Sequence, residues 1–226
     1  MTSCEYIYGF IPSYIGLRPT RRYGVTAKRV IACLFICSHR KEDTMYFKKM
    51  VGEKVYLSPR NSCDALVATK WVNNYEVAKY INQYVKNINE DTEREYLAKN
   101  NSDYNYAIVD LESDKLIGFI GLKDVDFISR IGTLGVFIGD EEYLSRGYGS
   151  DAIKLILNYA FNFLNLNNIK LEVLGFNIRA IKAYQKCGFK KFGVWKNSHY
   201  AEGTYHDIVF MNVTKSEFNK LEKNKG

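Results

Sequence analysis

The 226-residue sequence contains no apolar run near the roughly 18 residues that a membrane-spanning helix requires. Its longest tight apolar cluster, residues 30–37, lies late for a signal peptide and lacks a small-residue cleavage site. The cysteines number five, and an odd count suits a reducing compartment better than a disulfide framework. These absences predict a cytoplasmic protein without membrane contact.

The net positive charge is small outside the first 44 residues. The formal net charge is +7, and residues 1–44 hold seven Arg or Lys against three Asp or Glu, which leaves only +3 for the remainder. So small an excess argues against nucleic-acid binding and is compatible with a phosphorylated small ligand. A basic, ribosome-associated protein that uses the N-terminal arginines stays open as an alternative function.

Residues 1–44 also lack a sustained helical or strand period, and five Gly and Pro residues interrupt their apolar clusters up to residue 24. We therefore predict a poorly ordered N-terminal extension, or a misassigned start, before a single domain over residues 45–226. The extension contains the pattern Cys33-x-x-x-Cys37-x-His39. Its spacing fits no standard zinc site and a fourth ligand is not evident, so no metal is predicted.

The rest of the sequence alternates strand-like and helical segments. Thr214 and Glu217 have capping-box spacing, Gly188 is placed like the residue that ends a helix, and the acidic cluster 89–93 is interpreted as a helix first turn. Strands are predicted at 53–59, 104–110, 116–125, 131–139, 169–175, 192–200 and 205–213, and helices at 62–71, 75–85, 89–99, 148–164, 177–189 and after 214. This order predicts an α/β domain.

The most informative local pattern is Arg146-Gly147-Tyr148-Gly149-Ser150, directly before a strongly amphipathic helix. Each glycine costs roughly 1 kcal/mol of helix propensity relative to Ala. The first turn of a helix carries four unpaired N–H groups and the positive end of the dipole, and glycines would let a phosphate approach them. A tight strand-to-helix turn explains the glycines equally well, and the spacing fits neither a Walker loop nor a dinucleotide fingerprint.

A second motif favours a bound phosphate over a tight turn as the explanation of the glycines. The segments LSRGYG (144–149) and NIRAIKAYQKCGF (177–189), with the spacing between them, resemble the paired motifs of the GNAT N-acetyltransferase superfamily. The hairpin HYAEGTYHDIVFMNV (199–213) is similar to that of its ribosomal-protein alanine and spermidine acetyltransferase branch. The resemblance spans about residues 50–214. It departs at Leu144, where the family signature has Gln or Arg.

The resemblance implies an α/β fold of the α+β type, with a mixed, mostly antiparallel sheet, a splayed parallel strand pair and flanking helices. It also implies acetyl-CoA as cosubstrate, no metal, and direct acetyl transfer to a primary amine of a small molecule or a protein N-terminus. A homodimer is an expectation at the level of the family. A CoA-binding regulatory module without turnover is an alternative function.

The same resemblance assigns the site. The pantetheine arm would add as a strand between residues 134–139 and 171–175, and Tyr184 would be the general acid, with a core tyrosine as its alternative role. Asn177 would contact the coenzyme, cap its helix, or both. The cofactor-binding residues are then Phe137, Ile138, Arg146, Gly147, Tyr148, Gly149, Ser150 and Asn177. As candidate bases, Glu172, His199 and His206 are interpreted as structural or surface residues, and Cys187 as a small buried residue and not a nucleophile.

Overall fold

The computed structural model describes residues 46–81, 85–100 and 103–223. The predicted N-terminal extension, with Cys33, Cys37 and His39, lies outside these residues. An eight-stranded sheet is built from β1 (Met50–Val51), β2 (Val55–Pro59), β3 (Asn105–Asp110), β4 (Leu116–Asp126), β5 (Ile131–Ile138), β6 (Asn168–Leu174), β7 (Lys190–Ala201) and β8 (Thr204–Thr214). Its strand order is β1-β2-β3-β4-β5-β6-β8-β7. Every neighbouring pair is antiparallel except β5 and β6, so the predicted mixed sheet with one parallel pair is confirmed.

The helices are α1 (Ala65–Asn73), α2 (Tyr75–Ala78), α3 (Glu90–Lys99), α4 (Tyr148–Asn158), α5 (Ile178–Lys186) and α6 (Lys215–Lys223). A π-helical turn, Tyr159–Phe163, extends α4, and short 3₁₀ turns occupy Ser62–Asp64 and Glu141–Tyr143. Within the described part of the chain, no helix combines the length and apolar character needed to cross a membrane.

Several predicted helix ends are confirmed by their hydrogen bonds. The side chain of Asn89 accepts from Thr92 N (2.8 Å) at the start of α3. Thr214 and Glu217 form the reciprocal capping box, with Thr214 N donating to Glu217 Oε2 (3.0 Å) and Glu217 N donating to Thr214 Oγ1 (3.4 Å). Gly188 has φ +92° directly after the C-cap of α5. These ends depend on short-range contacts, which is why the local sequence predicts them.

Two predicted helices are wrong in part. The first begins as the 3₁₀ turn Ser62–Asp64, capped by Asn61, whose side chain accepts from Cys63 N (3.0 Å), and its α-helical part continues to Asn73, beyond the predicted end at 71. Within the segment predicted as a helix over 75–85, the helix ends at Ala78 and residues 79–81 form turns, while residues 82–84 lie outside the described part of the chain. Tertiary contacts override its helical period, because the Tyr80 ring packs against Phe176 (5.9 Å between centroids) on the far side of the sheet gap.

The sheet is covered by helices on both faces, and strand alternation divides the core accordingly. In β3, Tyr106 and Ile108 join a cluster with Ile153 and Ile156 of α4, whereas Ala107 and Val109 join the cluster under α1 and α3. The prediction of a buried α/β core is therefore confirmed.

β5 and β6 separate shortly after they meet. They pair at three positions only, from Ile131↔Asn168 to Thr133↔Lys170. β5 stays paired with β4 as far as Ile138↔Gly118, and β6 stays paired with β8 as far as Leu174↔Ile208. The outer ladders therefore hold the two strands apart, and a gap opens between residues 134–138 and 171–174.

A buried carboxylate fixes the first turn of α4 beside this gap. Asp151, 9% exposed, accepts from Lys54 N (2.8 Å) and Val55 N (3.1 Å) at the start of β2. A side chain at Gly52 would overlap the same carboxylate. An acid in the first turn is also favourable to the helix dipole. The position of the helix N-terminus is thus set by contacts almost 100 residues away in the chain.

We expect Asp151→Ala to lower the free energy of unfolding by about 2–3 kcal/mol, because it leaves two amide N–H groups without an acceptor in a buried site. Urea unfolding followed by circular dichroism would measure the loss. Asp126→Ala is the matched control, since Asp126 also accepts from two backbone amides, Ile128 N (2.7 Å) and Ser129 N (3.1 Å), in an exposed turn where water can replace it. Equal losses in the two variants would contradict the role given to Asp151.

Candidate active site

A cavity of about 360 Å³ fills the gap between β5 and β6. Its wall continues onto the first turn of α4, one side of α5 and the short helix α2. Seven of the nine predicted site residues line it: Phe137, Ile138, Gly147, Gly149, Ser150, Asn177 and Tyr184. The remaining two, Arg146 and Tyr148, lie in the same loop but not on the wall. Residues from three separate motifs are thus brought to one cavity.

The two glycines of the loop are there for different reasons. Gly147 is the N-cap of α4 and has φ +92°, a left-handed conformation that favours glycine. Gly149 lies inside the first turn, has no positive φ, and its absent Cβ would make an ordinary contact of 3.6 Å with Ile138 Cγ1. Backbone geometry therefore explains Gly147 but not Gly149. The absence of a side chain at Gly149 keeps the cavity wall open beside the free amides of the helix.

Arg146 and Tyr148 form the outer side of this loop. The exposed Arg146 guanidinium donates from Nη1 to Glu142 O (3.1 Å). The backbone carbonyl of Arg146 accepts from Lys54 Nζ (3.0 Å). The Tyr148 ring packs edge-on to Tyr143 (4.9 Å), with the Lys54 ammonium 5.4 Å from its centroid. Lys54 is a cation at the loop that sequence reasoning missed, because only the fold brings residue 54 next to residue 146.

In β5, the backbone N–H and C=O groups of every second residue point toward the gap. Gly139 N donates to Ile117 O (2.9 Å) of β4. Since successive residues of an antiparallel strand face opposite neighbours, Phe137 faces β4 in the same way, and Ile138 faces the gap. The Phe137 side chain packs edge-on to Trp71 (6.0 Å). Ile138 is therefore better oriented than Phe137 to pair with an added strand, and both assignments stay predictions.

Asn177 lies at the start of α5 and Tyr184 about two turns later. Asn177 caps the helix, with its side chain accepting from Ala180 N (3.2 Å), and it also lines the cavity. Tyr184 is 9% exposed and packs edge-on to Phe189 (5.9 Å). Burial raises the pKa of the Tyr184 phenol above its usual range, and the nearby Cys187 thiol raises it further. The phenol is therefore protonated at neutral pH, and the residue lines the cavity.

Other titratable groups separate into those on the wall and those away from it. Glu172 lines the cavity, and burial raises the pKa of its carboxyl. Lys123 lies behind the wall at Gly135, and burial lowers the pKa of its ammonium to about 8. His199 and His206 pack around Phe176, at 6.4 and 4.8 Å between ring centroids, and are not on the wall. Over residues 46–81, 85–100 and 103–223, no three His, Cys, Asp or Glu side chains are grouped to bind a metal.

The different roles of the two glycines predict stability changes of opposite sign. Gly147→Ala should lower the free energy of unfolding by about 1–2 kcal/mol, because Ala is strained at positive φ. Gly149→Ala should raise it by about 0.5 kcal/mol, because Ala is the better helix former and its methyl group fits. Paired urea titrations measure both values. A loss at position 149 as large as that at 147 would mean that Gly149 is required by backbone geometry.

Comparison with known proteins agrees with this geometry. Residues 54–190 match the family model described as an acetyltransferase (GNAT) domain. The spermidine N(1)-acetyltransferase of Vibrio cholerae is 27% identical over 60% of this chain and 71% of its own length. The uncharacterized N-acetyltransferase p20 of Bacillus licheniformis is 25% identical over 78% of this chain and 98% of its own. The putative ribosomal N-acetyltransferase YdaF of Bacillus subtilis is 26% identical over 66% of this chain and 79% of its own.

Solved structures share the fold. A GNAT-family acetyltransferase from Bacillus anthracis superposes with a TM-score of 0.66 at 20% identity, covering 74% of this chain and 99% of its own. The spermidine N-acetyltransferase of Vibrio cholerae, solved in complex with CoA and spermine, superposes with a TM-score of 0.65 at 24% identity over 73% of this chain and 98% of its own. With the match over residues 54–190 and relatives that are N-acetyltransferases, the chain belongs to the GNAT acetyltransferase family and is an N-acetyltransferase.

Proposed function

We propose that the protein transfers the acetyl group of acetyl-CoA directly to a primary amine. The observation that carries the proposal is the single cavity that joins the free first-turn amides of α4 to the buried Tyr184 hydroxyl through the gap between β5 and β6. One end of this cavity suits a diphosphate, its middle suits an extended chain with amide groups, and Tyr184 supplies an acid. Acetyl-CoA has these parts in that order.

The coenzyme would be held mainly by backbone groups. A diphosphate at residues 147–150 meets converging N–H groups and the positive end of the α4 dipole, which needs no particular side chain. The departure at Leu144 from the family signature is therefore compatible with binding. The pantetheine arm would pair with the inner edge of β5 at Ile138, as an added strand. Arg146, Tyr148 and Asn177 would contact the coenzyme from the rim and from the start of α5.

The proposed reaction needs a neutral amine as the nucleophile and a proton for the leaving thiolate. A neutral amine attacks the thioester carbonyl carbon, the C–S bond breaks, and the departing thiolate takes a proton from the Tyr184 hydroxyl. The acylated nitrogen then loses its extra proton, and a proton returns through water to the Tyr184 phenolate. The amine must lose a proton to water, since an alkylammonium with a pKa near 10.4 is mostly protonated at pH 7. The products are the N-acetyl amine and CoA with a free thiol. No acyl-enzyme is needed, and the buried Cys187 lies against Ser150 O (3.5 Å) as a structural residue.

The acceptor is proposed only as a primary amine. Polyamines are the first candidates, because relatives named as spermidine N(1)-acetyltransferases are 26–27% identical to this chain. The acidic pair Glu141 and Glu142 gives no further support. Glu141 accepts from Asn74 Nδ2 (2.6 Å), Glu142 approaches Lys115 Nζ (3.9 Å), and neither lines the cavity.

The coenzyme site is tested by Gly149→Leu, which would place an isobutyl group between the first turn of α4 and Ile138. We expect the dissociation constant for CoA, measured by calorimetry, to rise by roughly tenfold or more while the fold is retained. Asn158→Leu adds the same side chain on the exposed last residue of α4 and should leave the affinity unchanged. If Gly149→Leu bound CoA with unchanged affinity, the coenzyme would not bind at this loop, and the proposed reaction would be contradicted.

The role of Tyr184 is tested by Tyr184→Phe. A screen for acetyl-CoA-dependent thiol release over polyamines, aminoglycosides, amino sugars and N-terminal peptides first identifies the best acceptor. With that acceptor we expect turnover to fall by roughly 10²-fold and CoA binding to persist, because only proton donation to the thiolate is lost.

Tyr106→Phe is the control, since it also removes a buried hydroxyl, one that donates to Asp103 O (3.2 Å) outside the cavity, and it should keep its turnover. Unchanged turnover in Tyr184→Phe would exclude the tyrosine as the acid. Tight CoA binding without thiol release for any amine would instead indicate a regulatory module.

A further inference from the structure

One face of the sheet brings a lysine, a glycine and a glutamate together at the closed end of the gap between β5 and β6. Lys123 of β4 lies opposite Thr133 of β5, and Thr133 lies opposite Lys170 of β6. Because side chains two residues apart on a strand share a face, Gly135 and Glu172 lie on the same face as Lys123. Gly135 and Glu172 line the cavity, and Lys123 lies one strand away from it.

The missing side chain at Gly135 leaves Lys123 a path across β5. A Cβ built on Gly135 would meet Lys123 Cε at 3.8 Å, so the lysine side chain already extends over this glycine. Burial raises the pKa of Glu172 and lowers that of Lys123, and beyond this each charge stabilises the other, although β5 lies between their strands. The lysine side chain therefore points across β5 toward the cavity.

The Lys123 amine has the properties of a nucleophile more than those of a structural ion. Its Nζ is buried, and among the described residues it has no hydrogen-bond acceptor and belongs to none of the ion pairs. Burial lowers the pKa of the ammonium to about 8 against the opposing effect of Asp124, and Arg60 and Glu172 are its other charged neighbours. Compared with an ordinary lysine, this shift raises the fraction of neutral amine at pH 7 by on the order of 10²-fold.

The coenzyme proposed above would bring its thioester close to this lysine. A Cβ built on Gly149 would lie 3.6 Å from Ile138 Cγ1, so the phosphate end of the cavity is at the Ile138 end of the gap. The strands meet at the other end, at Thr133. A pantetheine arm laid along β5 from Ile138 reaches Gly135 after about 10 Å, a length that its two amide units cover. The thioester would then lie beside the glycine that Lys123 crosses.

We propose that Lys123 is a self-acetylation site, an inference that rests on acetyl-CoA being the cosubstrate. The Lys123 ammonium first loses a proton to water, and the neutral Nζ attacks the thioester carbonyl carbon. The C–S bond breaks, the thiolate takes a proton from the Tyr184 hydroxyl, and the acylated nitrogen loses its extra proton, which returns through water to the Tyr184 phenolate. The products are acetylated Lys123 and CoA with a free thiol. Acetylation removes the positive charge that faces Glu172 on the cavity wall.

Mass spectrometry on the full chain tests the site. The protein is incubated with acetyl-CoA and no added amine, and peptide mapping follows the acetyl content of each lysine with time. We expect Lys123 to be acetylated roughly tenfold faster or more than the exposed Lys196, because a bound thioester is held beside a partly neutral amine. Gly149→Leu, which weakens the coenzyme site, should acetylate Lys123 no faster than Lys196.

Two matched variants assign the fast reaction to its residue. Lys123→Arg keeps the positive charge but offers no comparable nucleophile, so the first acetyl group seen in the intact mass should disappear. Lys196→Arg changes an exposed lysine away from the cavity wall in the same way and should keep it. A fast acetylation that persists in Lys123→Arg would place the modification elsewhere and overturn the proposal.

The remaining outcomes separate this site from the proposed function. Thiol release with an added amine, without acetylation of Lys123, would overturn the self-acetylation site and leave the proposed function intact. Equal acetylation of Lys123 in the wild-type protein and in Gly149→Leu would also overturn the site, because the modification would not depend on bound coenzyme. A wild-type protein that acetylated neither an added amine nor Lys123 would contradict the proposed function and the site together.

Discussion

The separation of β5 from β6 after Thr133 is the constraint on which the rest of the site depends. Each strand keeps a complete ladder on its outer side, so neither can shift to close the gap without breaking pairs with β4 or β8. The inner edges then present main-chain groups that need partners, and buried main-chain groups are almost always hydrogen-bonded. A sheet that is rigid on both sides of an unpaired edge is a receptor for an extended ligand with amide groups.

The first turn of α4 adds charge selectivity to this receptor. Asp151 holds the turn against β2, and Gly147 takes the positive φ that directs the chain into the helix beside the gap. Gly149 is not required by its own backbone angles, so its low helix propensity is a cost without a structural return. Lys54 and Arg146 on the outer side of the loop make the region positive, and among the described residues the wall formed by residues 143–153 contains no carboxylate. The first turn of α4 is therefore less stable than it would be with alanine at position 149, and a bound anion would stabilise it.

The other end of the cavity is closed by contacts between distant segments. The Tyr80 ring packs on Phe176, and the cations of Arg179 and Lys79 lie over the Tyr80 ring. The Tyr75 hydroxyl donates to Glu202 at the tip of the β7–β8 hairpin. The one-turn helix α2 is therefore positioned by three parts of the chain at once. The helix also keeps local bonds, with Val77 N and Ala78 N both donating to Asn74 O, so the long-range contacts fix where this short helix lies against the cavity.

Much of this protein follows from the sequence read locally. The period of apolar residues predicts the strands, and the acidic cluster 89–93 and the Thr214–Glu217 pair predict helix starts. The coenzyme-binding site is predicted only through the resemblance of the glycine loop and the segment 177–189 to the GNAT family. Each signal operates over a few residues, so no long-range information is needed. The predicted fold class and family are confirmed on that basis.

Only the tertiary structure decided which way the groups face and which distant residues join them. Sequence alone treated Phe137 and Ile138 alike, whereas the ladder with β4 turns Ile138 toward the gap. It interpreted Glu172 as structural, and the separation of the strands puts that carboxylate on the cavity wall. It gave no sign that Lys54 and Asp151 would meet at the α4 N-terminus, because residues about 100 positions apart are joined by packing and register, which depend on all the strands between them.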